Sequence, residues 1–488
     1  MLTQRIEAIR QNYVNTKPQI SCERAKIWTD SHRETEGQPV AIRRARAFYD
    51  CCDRLGVHIF AGELVVGAIG EFRKCGILTP EFSWMWVDRE MDTFDTRPQD
   101  PYRMTDDQRA FVRREIFPYW KGKSLEEAFL ARLPEDTYRI GVDTGVLDND
   151  SKWRQAVGEI TPDYQDVLFK KGFGGILREA EDHLAALDPT NPEDLSKREF
   201  YTSVCWTSRG IIRYANRYAQ AAEAMAEQEK DPVRAQELRR IARNCRRVPE
   251  HPPESFYEAI QFLWFVQVGG ILSENPLSLN PGRFDQYMAP YYEADLAQGT
   301  LDEAFAQELV DALWLKYSEW VWTISANTAD YFAGYNQFQN LTVGGKRRDG
   351  KDGTNPVTYL ALKATEEVKT HQPGLSVRVQ ADCPKEFLDA EPAFSLSFLG
   401  DEHRKALSYL GSVSGRNEDK MARCGLTPAR EDGIPYFAEA HTALFCRKLF
   451  AQPYDPAAFL DKSIIDRQYP ERDFHTLYIA EIVKALAK

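Results

Sequence analysis

The sequence lacks the features of a secreted, membrane-bound or nucleic-acid-binding protein. Its nine cysteines are odd in number and include no Cys-x-x-Cys pair, which is typical of reduced thiols rather than of a disulfide framework. No basic run accompanies the net charge of −12, so we expect no nucleic-acid partner. The amino-terminal residues have no apolar signal-peptide core, and no apolar run reaches the roughly 18 residues of a membrane span. We therefore expect a cytoplasmic protein with no membrane segment.

Motifs of several common catalytic classes are also missing. The eight histidines show neither HxxxH nor HExxH spacing, and no cysteine–histidine cluster indicates zinc. Gly122-Lys123-Ser124 is similar to the end of a phosphate loop, but Phe117 stands where that loop needs its first glycine. We therefore expect no metal site and no phosphate loop, and nothing indicates a hydrolase triad.

What is present is the composition of a large globular α/β protein. Of the 488 residues, 43% are hydrophobic and 12% aromatic, enough for one large barrel or two or three smaller domains. Helical spacing predicts helices over residues 2–15, 42–55, 168–187, 200–246 (with a break near Asp231-Pro232) and 301–322. Capping boxes starting at Ser124, Ser255 and Thr300 predict helix starts. Short apolar runs predict buried strands over residues 58–67, 341–345 and 375–380. This alternation favours an α/β fold.

One stretch, residues 273–292, combines burial with polarity. The most apolar run of the chain, residues 260–272, ends abruptly, and the residues that follow include Ser273, Asn275, Ser278 and Asn280. Polar side chains at the end of a buried element are how enzymes hold small polar substrates in a dry cavity. A polar loop that merely caps a core helix would have the same pattern, so both interpretations stay open at this point.

The stretch also contains GRFDQYMAPYY, which resembles the substrate loop of the pyruvate formate-lyase-like glycyl radical enzymes. Further matches to this family extend over about residues 5–390 and include ISCERAKIWTDSHRETEGQPVAIRRARAF, FAGELVVG, RPQDPY, FPYWKGKSLEE, GEITPDYQDVLFKKGF, NQFQNLTVGG, DGTNPVTYLAL and HQPGLSVRV. The resemblance is to the dehydratase and lyase branch. It implies a ten-stranded barrel of two five-stranded half-barrels, in which a cysteine loop and a glycine loop meet. We expect this chain to form mainly the amino-terminal half, with peripheral helices.

The resemblance implies that a cysteine abstracts hydrogen from the substrate as a thiyl radical, and Cys424 in MARCGLTPARED is the candidate. In many relatives this cysteine follows a glycine and precedes a glutamate base by two positions. Here Arg423 precedes Cys424, Gly425-Leu426 follow it, and Glu431 is the nearest downstream acid. The thiol would then be present without the usual base. An ordinary buried cysteine is the alternative interpretation.

The candidate substrate-binding residues are Glu159, Asp163, Ser278, Asn280 and Arg154. Ser278 and Asn280 match positions that contact substrate hydroxyl groups in dehydratase relatives. Glu159 stands where the family often has a histidine, and its carboxylate would accept hydrogen bonds from a polyol or attract a cation. Glu159 and Asp163 are equally interpreted as acids at a helix amino terminus, where the dipole favours them. Arg154, with Lys152, would instead bind an anionic substrate or simply be solvated.

The family pattern weakens after residue 390, and the carboxy-terminal Arg-Val-x-Gly-Tyr motif of the glycyl radical is not found. Ala333-Gly334-Tyr335 is only superficially similar, because it lacks the Arg-Val pair and lies in the middle of the chain. We therefore expect a pyruvate formate-lyase-like domain over residues 1–390 and a divergent cysteine-loop region and tail over residues 391–488.

Two functional interpretations follow from this pattern. The first is a glycyl radical lyase or dehydratase of anaerobic metabolism, in which a C–O, C–N, C–S or C–C bond of a small polar substrate is cleaved. It requires a radical-SAM activase to install the glycyl radical that this chain lacks, and we expect a homodimer. The second is a catalytically incomplete fragment or pseudoenzyme, which would act as half of a split enzyme with a carboxy-terminal partner chain. A half-barrel exposes a sheet edge that favours such a partner.

Overall fold

The computed structural model describes residues 2–142, 158–332, 337–378, 392–412, 423–453 and 476–487, with scattered positions at 144, 146, 334, 455–459, 462, 463 and 465. The chain divides into two compact units. The large unit comprises Met1–Val343 and Asn355–Val377, and the small unit comprises Gly344–Thr354 and Arg378–Lys488.

The large unit is mostly helical. Its helices, α1 to α16 in chain order, are Gln4–Asn15, Glu23–Glu34, Val40–Arg54, Met85–Glu90, Asp106–Phe111, Phe117–Trp120, Leu125–Leu130, Glu135–Thr137, Phe169–Ala186, Pro192–Gln228, Pro232–Arg247, Phe256–Glu274, Phe284–Gln298, Glu303–Glu319, Ala326–Phe332 and Pro356–Val368. Most of the predicted helices are therefore confirmed, and the break at Asp231-Pro232 separates α10 from α11. No helix of the described residues is both long and apolar enough to cross a bilayer.

Two of the three predicted capping boxes begin their helices as expected. The side chains of Ser124 and Ser255 accept hydrogen bonds from the first turns of α7 and α12. The third prediction was wrong, because Asp302 rather than Thr300 caps α14 and accepts a bond from Phe305 N at 2.7 Å. A carboxylate directly before the helix competes successfully for this position, since it interacts favourably with the helix dipole.

Short parallel strands lie between these helices. Strands β1 (Gln19–Ser21) and β2 (Cys75–Ile77) pair in parallel, as do β3 (Glu159–Ile160) and β4 (Ser278–Leu279). Strand β5 (Asn340–Gly344) pairs with β6 (Gly374–Arg378), and a parallel bridge from Gly282 to Leu341 joins β5 to the residues after β4. These strands confirm the mixed α/β prediction and the two strands predicted near residues 341 and 375.

The predicted strand over residues 58–67 is wrong, because this segment is irregular, although residues 63–67 are buried. Leu64, Val65 and Val66 are each about 1% exposed or less. The backbone groups of Leu64, Val66 and Gly67 bond to side chains of α12 instead of to a neighbouring strand. Gln261 accepts a bond from Val66 N (2.9 Å) and donates one to Val66 O (2.7 Å), and Trp264 donates to Gly67 O (2.9 Å). Side chains thus meet the requirement that buried backbone groups be hydrogen-bonded.

Helix α12 is the centre of the large unit's core. It is hydrophobic on nearly all sides, with Phe262, Leu263, Phe265 and Val268 fully buried, as expected for a helix surrounded by other elements. Its carboxy-terminal end leads directly into β4. The helix therefore positions the stretch in which sequence predicts substrate-binding residues.

The small unit contains a three-stranded antiparallel sheet in the order β11–β10–β7 and a separate hairpin, β8–β9. The strands are β7 (Ala393–Phe398), β8 (Pro428–Glu431), β9 (Ile434–Phe437), β10 (Thr442–Pro453) and β11 (Thr476–Ala487), and helix α17 covers Arg404–Ser412. Ala440, Ala443 and Phe445 form its described core, against which Ile434 and Tyr436 of the hairpin pack.

Candidate functional site

The register of β3 and β4 brings three of the predicted site residues together. Glu159 pairs with Ser278, and Ile160 pairs with Leu279. Paired residues of parallel strands point to the same face of a sheet and lie about 4.8 Å apart, and residues two apart on one strand share that face. Glu159 and Ser278 therefore share one face, and Asn280, which follows β4 and donates its N–H to Ile160 O at 2.8 Å, continues the extended backbone on that face. Leu279, which is 1% exposed, lies on the opposite face and packs against α12 at Gly270, where a Cβ would come within 2.7 Å of Leu279 Cδ2.

The turn between α12 and β4 is held by buried arginine contacts. The Arg24 guanidinium is fully buried, and it bonds to Leu272 O at the end of α12 (2.7 Å) and to the Glu81 carboxylate (2.6 Å). Arg44 bonds to Glu274 at 2.8 Å. Cations at the carboxy-terminal end of a helix interact favourably with its dipole. These two arginines, from the ISCERAKIWT and AIRRARAF motifs, thus fix the start of the candidate loop.

Ser278 and Asn280 are both bonded to the chain around the start of β5. Ser278 is 6% exposed, and its hydroxyl donates to Phe338 O at 3.0 Å. The side-chain oxygen of Asn280 accepts from Asn340 N at 2.9 Å. Phe338 has φ +42°, a left-handed conformation that is rare for a bulky residue and is found preferentially at functional sites. In this structure the two polar side chains therefore orient the loop, and the Ser278 oxygen still has capacity to accept a bond.

Sequence reasoning missed Gln337 and Gln339, which flank Phe338. Both side chains are fully buried. Gln337 donates to Trp320 O, and Gln339 donates to Tyr317 O at 3.0 Å. No protein group among the described residues bonds to either side-chain carbonyl oxygen. Such oxygens normally have a water or ligand partner. The spacing of the two amides in QFQ, directly before an apolar strand, is a signal that could have identified them.

A buried aromatic pair lies behind the loop. Tyr164 stacks on Tyr287 with ring centroids 5.2 Å apart, Tyr287 donates to Pro281 O at 2.7 Å, and Tyr164 accepts from Gln267 at 3.0 Å. Burial raises the pKa of both phenols. Both therefore stay neutral at physiological pH, and this wall adds no negative charge to the site.

The acids near β3 are in different environments. Glu159 is exposed, although its strand pairs with β4. Asp163 caps the π-helical turn Tyr164–Leu168 by accepting a bond from Asp166 N at 2.8 Å, which is the helix-terminus role that sequence had left open for it. Asp285, which follows the same polar stretch, is fully buried, and its carboxylate accepts a bond from Thr358 at 2.6 Å. Substrate binding by Glu159 and Asp163 stays a prediction.

Arg154 and Lys152 are outside the described residues, as are Ala333 and Tyr335. Gly334 is exposed and donates its N–H to Asp100 at 2.7 Å. Cys424 belongs to the small unit and is half-buried, with its Sγ 3.9 Å from Ala406 O. Within the described part of the chain, no cluster of three or more His, Cys, Asp or Glu side chains is arranged to bind a metal.

Comparisons with known proteins agree with the resemblance seen in the motifs. The isethionate sulfite-lyase of Nitratidesulfovibrio vulgaris is 34% identical over 395 residues, which are 79% of this chain and 48% of that protein. The glycerol-bound B12-independent glycerol dehydratase of Clostridium butyricum superposes with a TM-score of 0.77 at 34% identity and covers 85% of this chain and 53% of that one. A glycyl radical enzyme from Archaeoglobus fulgidus gives 0.74 at 29% identity, covering 87% and 54%.

The chain spans about half the length of the curated relatives it matches. The fold prediction is confirmed by the structural matches. The family described as "Pyruvate formate lyase-like" matches residues 2–399, so Cys424 lies beyond the matched range. Because this match covers most of the chain, the protein belongs to the pyruvate formate lyase-like family.

Proposed function

We propose that this chain forms the substrate-binding half of a glycyl radical lyase or dehydratase. A small polar substrate would lie against the face that Glu159, Ser278 and Asn280 share, and a C–O, C–N, C–S or C–C bond next to the activated carbon would break. The observation that carries the proposal is the β3–β4 register, which pairs Glu159 of one motif with Ser278 of another, two positions before Asn280. The family membership supplies the reaction class.

The roles of the side chains follow from their chemistry. The Glu159 carboxylate would accept hydrogen bonds from substrate hydroxyl groups, and the Ser278 oxygen would accept one more. The buried carbonyl oxygens of Gln337 and Gln339 would accept bonds from water or substrate deeper in the site. Exclusion of bulk water by the aromatic wall would strengthen these polar contacts and protect a reactive intermediate.

Cys424 is the proposed hydrogen-abstracting residue. The family's glycyl radical, installed by a radical-SAM activase, supplies an unpaired electron when the complete enzyme is activated. Once its own S–H hydrogen atom had passed to that radical, the Cys424 sulfur, now a thiyl radical, would take a hydrogen atom from substrate carbon to become S–H again. It would return that atom to the product radical after the bond has broken. A half-buried thiol such as Cys424 is suited to this exchange because it is neither sealed in a core nor freely solvated.

The second candidate function is a non-catalytic half that requires a partner chain. Leu396, Phe398 and Ile482 of the small unit's sheet are 45%, 46% and 56% exposed. The register pairs Leu396 with Leu444, and Cys446 pairs with both Phe394 and Ile482, so one sheet face carries a series of apolar side chains. Exposed apolar faces of this kind mark interaction sites. This observation favours a partner chain that covers this sheet face.

The first experiment separates the two candidates. We would express the chain anaerobically with a radical-SAM activase and with a second reading frame that ends in Arg-Val-x-Gly-Tyr, and record the electron paramagnetic resonance spectrum. A glycyl doublet with turnover supports the enzyme. We expect Cys424→Ala to abolish turnover while the doublet persists. The matched variant Cys446→Ala should retain turnover. Equal effects of the two variants would contradict the assignment of Cys424, and absence of a doublet would leave only the non-catalytic half.

A second experiment addresses the substrate, with binding as its readout. Glycerol and isethionate differ in charge, so calorimetric titration of the same assembly distinguishes a site built for hydroxyl groups from one built for an anion. The proposed face is supported if glycerol binds and if Ser278→Ala and Glu159→Gln each weaken its binding by about tenfold. That is the effect expected when one hydrogen bond to a charged or buried group is lost. Isethionate binding that depends on Arg154 but not on Glu159 would contradict the hydroxyl assignment.

A further inference from the structure

A cavity of the large unit, of about 380 Å³, lies between α11, the start of α12 and the start of α14. Its volume is within the range of small-molecule sites. Arg240, Arg243, Tyr257 and Phe305 contribute to its lining. None of these residues belongs to the group around β3 and β4, so the cavity needs its own explanation.

Arg240 is held in place by aromatic rings. Its guanidinium carbon lies 5.0 Å from the Tyr257 ring centroid and 5.1 Å from that of Phe305. The two rings meet edge to face at 5.8 Å, and Tyr257 is anchored by the bond from its hydroxyl to Leu64 O. A cation between two fixed rings has a restricted orientation. Arg240 is therefore preorganised, which lowers the entropy cost of binding an acceptor.

The donors of Arg240 and Arg243 are available. Neither guanidinium has a hydrogen bond or ion pair with another described residue, whereas Arg234, Arg246 and Arg247 of the same helix are paired with carboxylates. Arginines three apart lie on the same helix face. Two unpaired guanidinium groups at one cavity therefore present a fork of donors suited to a carboxylate or phosphate group.

The acidic residues of the cavity do not cancel this charge. Burial alone would raise the pKa of Glu237, but its bonds to Arg5 (2.5 Å) and Arg234 (2.9 Å) outweigh burial and lower the pKa, so this carboxylate is already neutralised by partners. Asp302 accepts the capping bond from Phe305 N at 2.7 Å. Two open guanidinium groups thus face a single capping carboxylate, and the cavity favours an anion.

The cavity is also remote from the candidate substrate face. Tyr257 lies in the first turn of α12, and Asn275 follows the last turn of the same helix. A rise of about 1.5 Å per residue over these 18 positions separates the two ends by roughly 27 Å along the helix axis. A ligand in the cavity would therefore not occupy the substrate site.

We propose that this cavity binds a small organic anion, in which a carboxylate or phosphate group pairs with Arg240 and Arg243 and a flat apolar portion packs beside Tyr257 and Phe305. The two arginines recognise the negatively charged oxygen atoms that a carboxylate and a phosphate group have in common. The aromatic lining adds a preference for ligands with an apolar body over simple inorganic ions.

The test is calorimetric titration of the full chain with phenyl phosphate, benzoate, inorganic phosphate and phenol as separate probes. We expect phenyl phosphate or benzoate to bind at millimolar concentration or below, and inorganic phosphate and phenol to bind at least about tenfold more weakly, since each lacks one of the two recognised parts. Phenyl phosphate binding without benzoate binding identifies a phosphate ligand, and the reverse identifies a carboxylate.

Variants assign the binding to the cavity. Arg240→Gln and Arg243→Gln should each weaken binding of the better probe by about tenfold or more, the effect of a lost charge-assisted bond. Arg246→Gln is the matched control, because Arg246 lies on the same helix but is paired with Glu223. This variant should bind the probe as tightly as the unchanged protein does. Arg243 touches neither ring, so its variant remains informative if Arg240→Gln disturbs packing. Binding that is unaffected by both variants, equal binding of inorganic phosphate, or no binding by either aromatic anion would overturn the proposal.

Discussion

The two units of the chain are stabilised in different ways. In the large unit, buried polar side chains complete the bonding of irregular backbone, as Gln261 does for Val66, and an extensive core surrounds α12. In the small unit, strand β10 is paired along its whole length with β11, but the described core consists of Ala440, Ala443 and Phe445. The large unit thus depends on specific side chains, and the small unit depends mainly on its backbone ladder.

The difference is clearest for buried charge. In the large unit, Lys316 is 3% exposed and bonds to Glu63 (2.8 Å) and Glu319 (2.7 Å), and Arg73 joins the same group through Glu319. In the small unit, Lys484 pairs with Glu431 and Asp432 at the surface. Because the first group is buried, breaking it should lower the free energy of unfolding strongly. Solvent screens the second group, so its contribution to that free energy is close to zero. A lysine paired with two carboxylates is therefore expected to contribute to stability in the large unit but hardly in the small unit.

The largest effect is expected from Lys316→Met. Removing the ammonium leaves Glu63 and Glu319 buried without their cation, and it should lower the free energy of unfolding by about 3–5 kcal/mol. All ten tryptophans lie at or before residue 322, in the large unit, so tryptophan fluorescence in urea reports this transition. A change below 1 kcal/mol, of the order of a surface pair, would show that the large unit does not depend on this group.

A second substitution, Phe445→Ala, should affect the small unit alone. Phe445 is 1% exposed and is the largest side chain of the small unit's described core. Its loss should cost about 3 kcal/mol, the lower end for a buried phenylalanine. Amide hydrogen exchange in β10 should then accelerate, while the tryptophan transition stays at the same urea concentration. A parallel shift of the tryptophan transition would show that the two units unfold together.

The third prediction concerns pH and His32 in the large unit. Burial lowers the pKa of His32 to about 4, although its Nδ1 bonds to Trp28 O at 2.9 Å. The folded state therefore keeps the ring neutral, while the unfolded chain takes up a proton below about pH 6.5. Stability should fall as pH drops from 6.5 towards 4, by about 2 kcal/mol at pH 5. His32→Gln should reduce the dependence of the unfolding free energy on pH in this range, as measured by urea unfolding at each pH.

Asp311 provides a control of opposite sign in the same unit. Burial raises the pKa of its carboxyl group from 3.8 to about 6. The folded state then binds a proton more tightly than the unfolded state, so this group lowers stability as pH rises from about 4 to 6. Asp311→Asn should remove that loss and leave the loss caused by His32 intact. If His32→Gln and Asp311→Asn changed the slope of the unfolding free energy against pH in the same direction, the burial of one of the two native side chains would be contradicted.

The smallest effect is expected from Lys484→Met in the small unit, the exposed counterpart of Lys316→Met. Exposed ion pairs contribute little because solvent screens them. We expect no measurable change in amide exchange of β10 and β11 and none in the tryptophan transition. A clear acceleration of exchange would mean that the small unit also relies on its charged side chains.

Local sequence signals predicted much of the large unit, and their failures have physical causes. Helical periodicity and the serine caps of α7 and α12 gave correct helix positions because they act within one turn. Residues 58–67 have the composition of a strand, but the partners of this segment are side chains of α12, about 200 residues later. The candidate site divides in the same way. The motifs indicated Ser278 and Asn280, whereas the roles of Gln337 and Gln339 depend on burial that no local pattern shows.

The amino-acid order alone determined the family, the α/β class and the existence of a polar loop after the most apolar helix, because these depend on residues close in the chain. Tertiary structure decided that Glu159 pairs with Ser278, that Arg24 bonds to the end of α12, and that Arg240 and Arg243 line one cavity. Those facts arise from contacts between residues far apart in sequence, whose energies exist only once the chain has folded and water has been excluded.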